Sequence, residues 1–325
     1  HDAVNQRLQS YFDRWNEVKT LSHAELADKI RSDGIDILID LSGHTGLNRL
    51  VTFAHKPAPI QASWIGFPGT SGLQAMDYYL CDRHFFPQAE FAHQFTEKLL
   101  HLPATAPFLP FEGAPKVNAL PARTNGYLTF GSFNKLKKFS PSVIALWARV
   151  LHAHPRSRMV LGGMETSDNP AVLRWFAKEG IAAERLQFHP VSDMPTYLQL
   201  HHQVDICLDT FPYSGGTTTW HAVWMGVPTL ILSSPTPTCR TGNFVLGHAG
   251  LLAFQANSPQ EFVDISLDWA KQLDELARIR ASLRERFLAS PVGQSAVIAR
   301  GLEKAFRTMW QRWCQGLPPE SFSVD

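Results

Sequence analysis

Residues 204–230, VDICLDTFPYSGGTTTWHAVWMGVPTL, leave this chain few ways to fold. Residues 204–209 are a short apolar run with an acidic end, the pattern of an inner strand of a parallel sheet covered on both faces. Ser214, Gly215, Gly216, Thr217, Thr218 and Thr219 then put glycines and hydroxyls where a helix must begin. Residues 220–225 supply that helix's apolar face before Gly226 and Pro228 end it. A helix start behind a strand's carboxyl end exposes unpaired N–H groups and a positive dipole end, both suited to phosphate. Gly215 and Gly216 let a ligand approach the backbone, and Thr217 and Thr218 add hydroxyl donors. The stretch reads as a diphosphate site, against the alternative of an ordinary strand-to-helix turn capped by serine or threonine.

Length and composition allow an enzyme built around such a site. With 325 residues, 44% of them hydrophobic and 18% charged, the chain can bury two cores and has the composition of a soluble globular enzyme. A net charge of +1 argues against broad electrostatic binding to nucleic acid or to an anionic membrane. No stretch approaches the roughly 18 consecutive apolar residues that span a bilayer. Cys81, Cys207, Cys239 and Cys314 lie far apart with no C-x-x-C spacing, which predicts neither a zinc site nor a disulfide framework and fits a reducing, cytoplasmic setting. The chain opens at His1 in a polar segment that resembles the middle of a domain, so a fragment or processed form is expected.

Read in order, the chain alternates helices and strands. Apolar spacing predicts a helix over 4–15, and Ser22 followed by Glu25 is a capping box that opens a helix through about Ser32. Strands are expected over 36–41, 60–65, 76–81 and 99–102, with a helix over 47–55 and a Gly- and Pro-rich loop over 66–72. Residues 104–125 are proline-rich and aperiodic, and read as a linker. Beyond it, strands over 127–132, 159–162, 186–189, 204–209 and 229–233 alternate with helices over 142–154, 171–179, 194–202 and 240–249. Two further helices fill 259–288, and an amphipathic one covers 293–313. The expected class is α/β, with two doubly wound, Rossmann-like domains facing a cleft. The expected segments are 1–120, incomplete at its start; 121–292, which carries the diphosphate site; and 293–325, a helix returning to the first domain.

That plan is the plan of the GT-B glycosyltransferases, and particular residues carry a closer resemblance. Residues 57–72, PAPIQASWIGFPGTSG, with Met76, Asp77 and Tyr78, then 131–138, GSFNKLKK, then 207–210, CLDT, with Gly215 to Thr218, resemble the signature blocks of the protein O-GlcNAc transferases. The resemblance implies inverting transfer of N-acetylglucosamine from UDP-GlcNAc to Ser or Thr of proteins, without a metal or other cofactor. It also implies a nucleotide-sugar donor, bound by 121–292, and a protein or peptide acceptor on the side of 1–120, as partners, with tetratricopeptide repeats upstream. Carried over by motif, Lys138 contacts the donor diphosphate, and Gly216, Thr217 and Thr218 form the phosphate-contacting helix start. The backbone of Val191 and Ser192 reads the uracil and Tyr197 stacks on it, while Gly66, Phe67, Pro68 and Gly69 lie beside the donor sugar. Three positions depart from the animal enzymes: His221 stands where an acidic residue meets the ribose, Met194 replaces a lysine, and Lys135 replaces a glutamine near the phosphates. The family's proposed base, a histidine in an Asn-His-Pro context, would lie upstream of His1.

Other residues keep open alternatives. Lys137, beside Lys138, reads as a surface lysine. His44 follows a strand end and either touches the acceptor or closes a turn; Arg240 either serves the diphosphate or caps a neighbouring helix. Tyr213 is a candidate for the sugar pocket, and Trp220 and Trp224 are expected in the core. His152, His154, His201 and His202 match no closed metal site and are expected at surface or capping positions. Two rival functions stay open: a protein O-fucosyltransferase using GDP-fucose, and a catalytically silent peptide-binding scaffold of the same fold.

Overall fold

The computed structural model describes residues 2–324; His1 and Asp325, the outermost residues of the expected first and last segments, lie outside the described residues. The strands, in chain order, are β1 (Ile37–Asp40), β2 (Ile60–Trp64), β3 (Tyr78–Cys81), β4 (Lys98–His101), β5 (Thr129–Ser132), β6 (Arg158–Met164), β7 (Leu186–Pro190), β8 (Ile206–Leu208), β9 (Thr229–Leu232), β10 (Gln255–Ala256) and β11 (Phe322–Ser323). They form two sheets in the orders β1-β2-β3-β4-β11 and β10-β9-β8-β5-β6-β7, and every pairing in both is parallel. The fold is α/β, as expected.

In the second sheet the strand order reverses between β5 and β8, the first and fourth of its strands. Crossover helices leave such neighbouring strands in opposite directions, which opens a crevice outside their carboxyl ends. β8 is buried throughout because the sheet is covered on both sides, as its apolar run implied. The two loops that leave β5 and β8 at this reversal are 133–138 and 209–216.

Local signals hold where tertiary contacts support them. Ser22 accepts from the Glu25 amide at 3.2 Å while Glu25 accepts from the Ser22 amide at 2.8 Å, so both arms of the capping box form ahead of the His23–Ser32 helix. The first expected helix stops early, at Gln9, and Tyr11, Phe12 and Trp15 beyond it are exposed. Their spacing suits a helix, but an apolar stripe with nothing to pack on stabilises none, and short helices are marginal alone. The helix expected over 47–55 is only Leu50–Ala54.

The Ser295–Cys314 helix crosses back to the first sheet, where Ala305 and Met309 pack with Ile60, Ala62, Tyr78, Leu80 and Leu100. After it, β11 joins the edge of β4 in register Phe322 to Leu100. Among the described residues no helix is long and apolar enough to cross a membrane.

The loop after β3 meets the Thr241–Ala249 helix of the second sheet. The Phe85 and Phe244 rings lie 5.7 Å apart, and His248 Nε2 sits 3.5 Å from the buried carboxylate of Asp82. Asp82 also accepts from the amides of His84, at 2.8 Å, and Phe85, at 3.0 Å, which fixes the loop that carries Phe85 into the cleft.

Candidate active site

Between the sheets lies a cleft of about 380 Å³. Its second-sheet wall contains Lys135, Lys138, Tyr213, Gly216, Thr217 and Thr218, all expected there, and adds Asn134, Ser214, Thr241 and Phe244. Pro68, also expected, faces them from the first sheet beside Ile65, Phe85, Thr105 and Ala106.

The helix start is bare of side-chain caps. Gly216 is the N-cap of the Thr217–Trp224 helix and no side chain accepts from its first amides, so those N–H groups are free to meet a ligand. Gly215 is there for want of room: a Cβ would lie 2.7 Å from Thr219 Oγ1, 2.8 Å from Thr218 Oγ1 and 2.9 Å from Asp209 Oδ1. Trp220 is buried and Trp224 half-buried on the same helix, as their spacing implied.

Lys138 lies on a short 3₁₀ turn, Leu136–Lys138, that follows β5. Its Nζ donates to the Ser214 carbonyl at 2.8 Å and to Asn134 Oδ1 at 3.4 Å, and stands 4.7 Å over the Tyr213 ring. These contacts span the two loops at the strand-order reversal and fix an ammonium beside the helix start. Burial pulls its pKa below the usual lysine value, opposed by Asp209 and reinforced by Lys137 and Lys135. Lys137 and Lys135 are exposed, Lys135 at the cleft wall.

Asp209 and Asn134 were legible only as a strand end and as part of a block. Asp209 is buried, and its Oδ1 accepts from the amides of Gly215 and Thr210 at 2.7 and 2.8 Å and from Asn134 Nδ2 at 3.2 Å. Asn134 Oδ1 in turn accepts from Thr218 Oγ1 at 3.3 Å. A buried carboxylate with several local donors is a recognisable signal only in three dimensions.

Other expected donor residues are not part of the cleft lining. Tyr197 and His221 meet with rings 5.4 Å apart and the phenol 3.3 Å from His221 Nδ1, on a platform with Phe133 and Phe108. Burial lowers the His221 pKa. Val191 and Ser192 are exposed just ahead of the Met194–Leu200 helix, whose cap is Asp193, accepting from the Thr196 amide at 2.9 Å. Phe67 offers its carbonyl to the Tyr79 hydroxyl at 2.7 Å, and Gly69 follows it.

Arg240, His44 and His201 each had two alternatives open. The Arg240 guanidinium donates to the carbonyls of Phe85, at 3.3 Å, and His84, at 3.4 Å, and to Ser233 Oγ at 3.1 Å, with its carbon 5.1 Å over the Phe91 ring. It is thus a strut between the sheets and not part of the cleft lining. His44 is exposed, its Nε2 3.1 Å from the Thr70 carbonyl and its ring edge-on to Phe67 at 5.4 Å, a turn-closing arrangement. His201 takes the capping alternative, as the C-cap of the Met194–Leu200 helix, and not the surface one: it is fully buried, stacked 4.0 Å from Phe133, and burial drives its pKa down to about 3.

Residues 6–109 and 118–300, most of the chain and every wall of this cleft, match the family model described as glycosyl transferase family 41. The chain belongs to glycosyl transferase family 41. Two curated members similar to it are the probable UDP-N-acetylglucosamine–peptide N-acetylglucosaminyltransferase SPINDLY of Hordeum vulgare, 37% identical over 94% of this chain and 33% of that protein, and that of Arabidopsis thaliana, 36% identical over 94% and 34%. The family 41 chain described here spans about a third of the length of these curated relatives. A solved mutant of the Thermobaculum terrenum O-GlcNAc transferase, with lysine changed to methionine, superposes with TM-score 0.85 at 35% identity, covering 97% of this chain and 61% of that one. Anabaena HepE in complex with UDP and glucose, at TM-score 0.56 and 13% identity over 94% of this chain and 90% of its own, shares the GT-B fold alone.

Proposed function

We propose that this chain carries the donor-binding and transfer centre of an inverting, metal-independent protein O-GlcNAc transferase. It would move GlcNAc from UDP-GlcNAc to a Ser or Thr hydroxyl. The observation that carries the reading is Lys138, held by Ser214 and Asn134 beside the uncapped Gly216 helix start in a family 41 chain.

In an inverting transfer the acceptor hydroxyl oxygen gives up its proton to a general base and bonds to the anomeric carbon from one face as the bond to the β-phosphate oxygen breaks on the other. The leaving diphosphate gains negative charge as that bond lengthens. A preorganised ammonium and helix amides stabilise that charge without reorganising, and more strongly than water would. The first-sheet wall, with Pro68 and Ile65, is the side from which an acceptor would approach.

A nucleotide-sugar panel with the full-length protein and a protein acceptor tests the reading, which expects transfer from UDP-GlcNAc above all other donors. Calorimetry should likewise show UDP binding more tightly than GDP, a reading that rests on the resemblance of Val191, Ser192 and Tyr197 to the uracil-contacting segment of the family. Tighter GDP binding would move the assignment to fucosyl transfer, and no transfer from any donor would leave the silent scaffold.

Activity should also survive excess chelator, because Lys138 and the helix start meet the phosphate charge. Asp40, the acidic residue at the end of β1, is already engaged by the amides of Ser42, at 3.0 Å, and Gly43, at 2.9 Å. Activity lost to chelator and restored by manganese or magnesium would defeat the metal-independent mechanism.

A further inference from the structure

We propose that Asp209 is a positioning residue for the transfer step that works through its negative charge, keeping the Lys138 ammonium charged and aimed at the leaving group. This rests on the reading of Lys138 as the stabiliser of the departing diphosphate.

Asp209 follows β8 and is fully enclosed. Three donors, the Thr210 and Gly215 amides and Asn134 Nδ2, all reach the same oxygen, Oδ1, while Oδ2 is buried without a hydrogen-bond partner. If hydrogen bonding were the whole role, one oxygen would do and a neutral amide would serve as well. Burying an ionised carboxylate with one oxygen unpartnered is costly, and opposite charge nearby is what offsets that cost. The charge nearest at hand is Lys138, linked through Asn134, whose Oδ1 accepts from Nζ at 3.4 Å.

The groups facing Lys138 make Asp209 decisive. Its own loop brings two like charges, Lys135 and Lys137; the next loop brings the Tyr213 ring; and the first-sheet wall of Ile65, Pro68, Phe85, Thr105 and Ala106 brings no charge. Burial and both neighbouring lysines favour the neutral amine, and Asp209 is the group that opposes them. Burial also pushes the Asp209 carboxyl up to about 6, with Lys138 among the groups that pull it back. Above that pH the carboxylate and ammonium sustain each other, so both charges are present when transfer runs at neutral or mildly alkaline pH.

Because all three bonds fall on Oδ1, Asp209→Asn can keep them and remove only the charge. The test compares the full-length parent, Asp209→Asn, Lys138→Met and the double variant for turnover against pH with UDP-GlcNAc and a protein acceptor. UDP binding and melting temperature are measured alongside. Asp209→Asn should melt near the parent and bind UDP, yet turn over roughly tenfold more slowly at pH 8, with its alkaline limb moved to lower pH. Added to Lys138→Met, the same change should cost little further. As a second variant, Asn134→Ala leaves the carboxylate in place, and should slow turnover while keeping the alkaline limb near the parent's.

Parent-like turnover and pH profile in Asp209→Asn would overturn the inference. So would a full additional loss in the Lys138→Met background, an Asp209→Asn chain that does not fold, or an Asn134→Ala limb shifted as far as that of Asp209→Asn. A parent that transfers from no UDP-GlcNAc defeats the functional reading and this inference with it; a working parent with any of those outcomes defeats the inference alone.

Discussion

Lys138→Met should lower turnover by about two to three orders of magnitude while leaving the protein folded and able to bind UDP. Methionine keeps the length of the side chain and removes its charge and its donors, so the Ser214 carbonyl and Asn134 Oδ1 lose a partner but no cavity opens. Charge on the leaving diphosphate is larger in the transition state than in the bound donor, so the loss falls mainly on kcat and less on binding. Removing one preorganised donor of this kind costs roughly 3 to 4 kcal/mol. Lys137→Met is the control: that lysine is exposed one residue away, and its replacement should change rate and stability by no more than about 0.5 kcal/mol. Steady-state kinetics of both variants with the full-length protein decide the matter. Parent-like turnover in Lys138→Met, or equal damage in Lys137→Met, would leave the diphosphate to the Gly216 helix start alone.

The half of the site that came out of the sequence is the half built from backbone. A glycine pair ahead of three threonines has one economical use, and the structure gives it that use: an uncapped helix start at the carboxyl end of a parallel strand. Ser22 and Glu25 were legible for the same reason, since a capping box is decided within four residues. What failed to show is whatever depends on distant partners. Asp209 and Arg240 are both buried polar groups, and burial is set by strands and helices far away in the chain. For Arg240 those partners are the carbonyls of His84 and Phe85, some 155 positions earlier in the case of Phe85, and no local pattern encodes them.

The same distinction explains the missed strands. β11 has two residues and exists because the Ser295–Cys314 helix delivers Phe322 to the open edge of β4. A pair of residues carries no period, so only the path of the preceding helix determines it. β10, also two residues long, completes the second sheet beside β9 in the same way. Conversely, residues 4–15 had the period of a helix, and the chain leaves it at Gln9 because the apolar side is exposed. Periodicity reports what an element could bury, and tertiary contact decides whether it does.

Gly66→Ala should destabilise the protein by about 1 to 3 kcal/mol and weaken donor binding with it. A Cβ at this position would stand 2.5 Å from the Leu41 carbonyl oxygen and 2.5 Å and 2.6 Å from the carbonyl carbon and Cα of Ser42. All three are backbone atoms of the loop that leaves β1, so no side chain can rotate aside. Nor can that loop retreat freely: the buried Asp40 carboxylate accepts from the Ser42 and Gly43 amides, and Ser63 Oγ of β2 donates to it at 3.1 Å. The strain must therefore spread into the 66–72 loop or part β1 from β2, and either movement displaces Ile65 and Pro68 from the cleft wall. Two nearby glycines separate this cause from a general intolerance of alanine. At Gly69 the new carbon would meet only the Phe67 ring, at 3.3 Å, and a ring can yield; at Gly46 it would meet nothing within 4 Å. Thermal melts and UDP titrations of the three alanine variants should rank Gly66 far below the other two. If Gly66→Ala instead melts and binds like Gly46→Ala, the exit loops of β1 and β2 are not in contact at Gly66, and the first-sheet wall of the cleft is drawn in the wrong place.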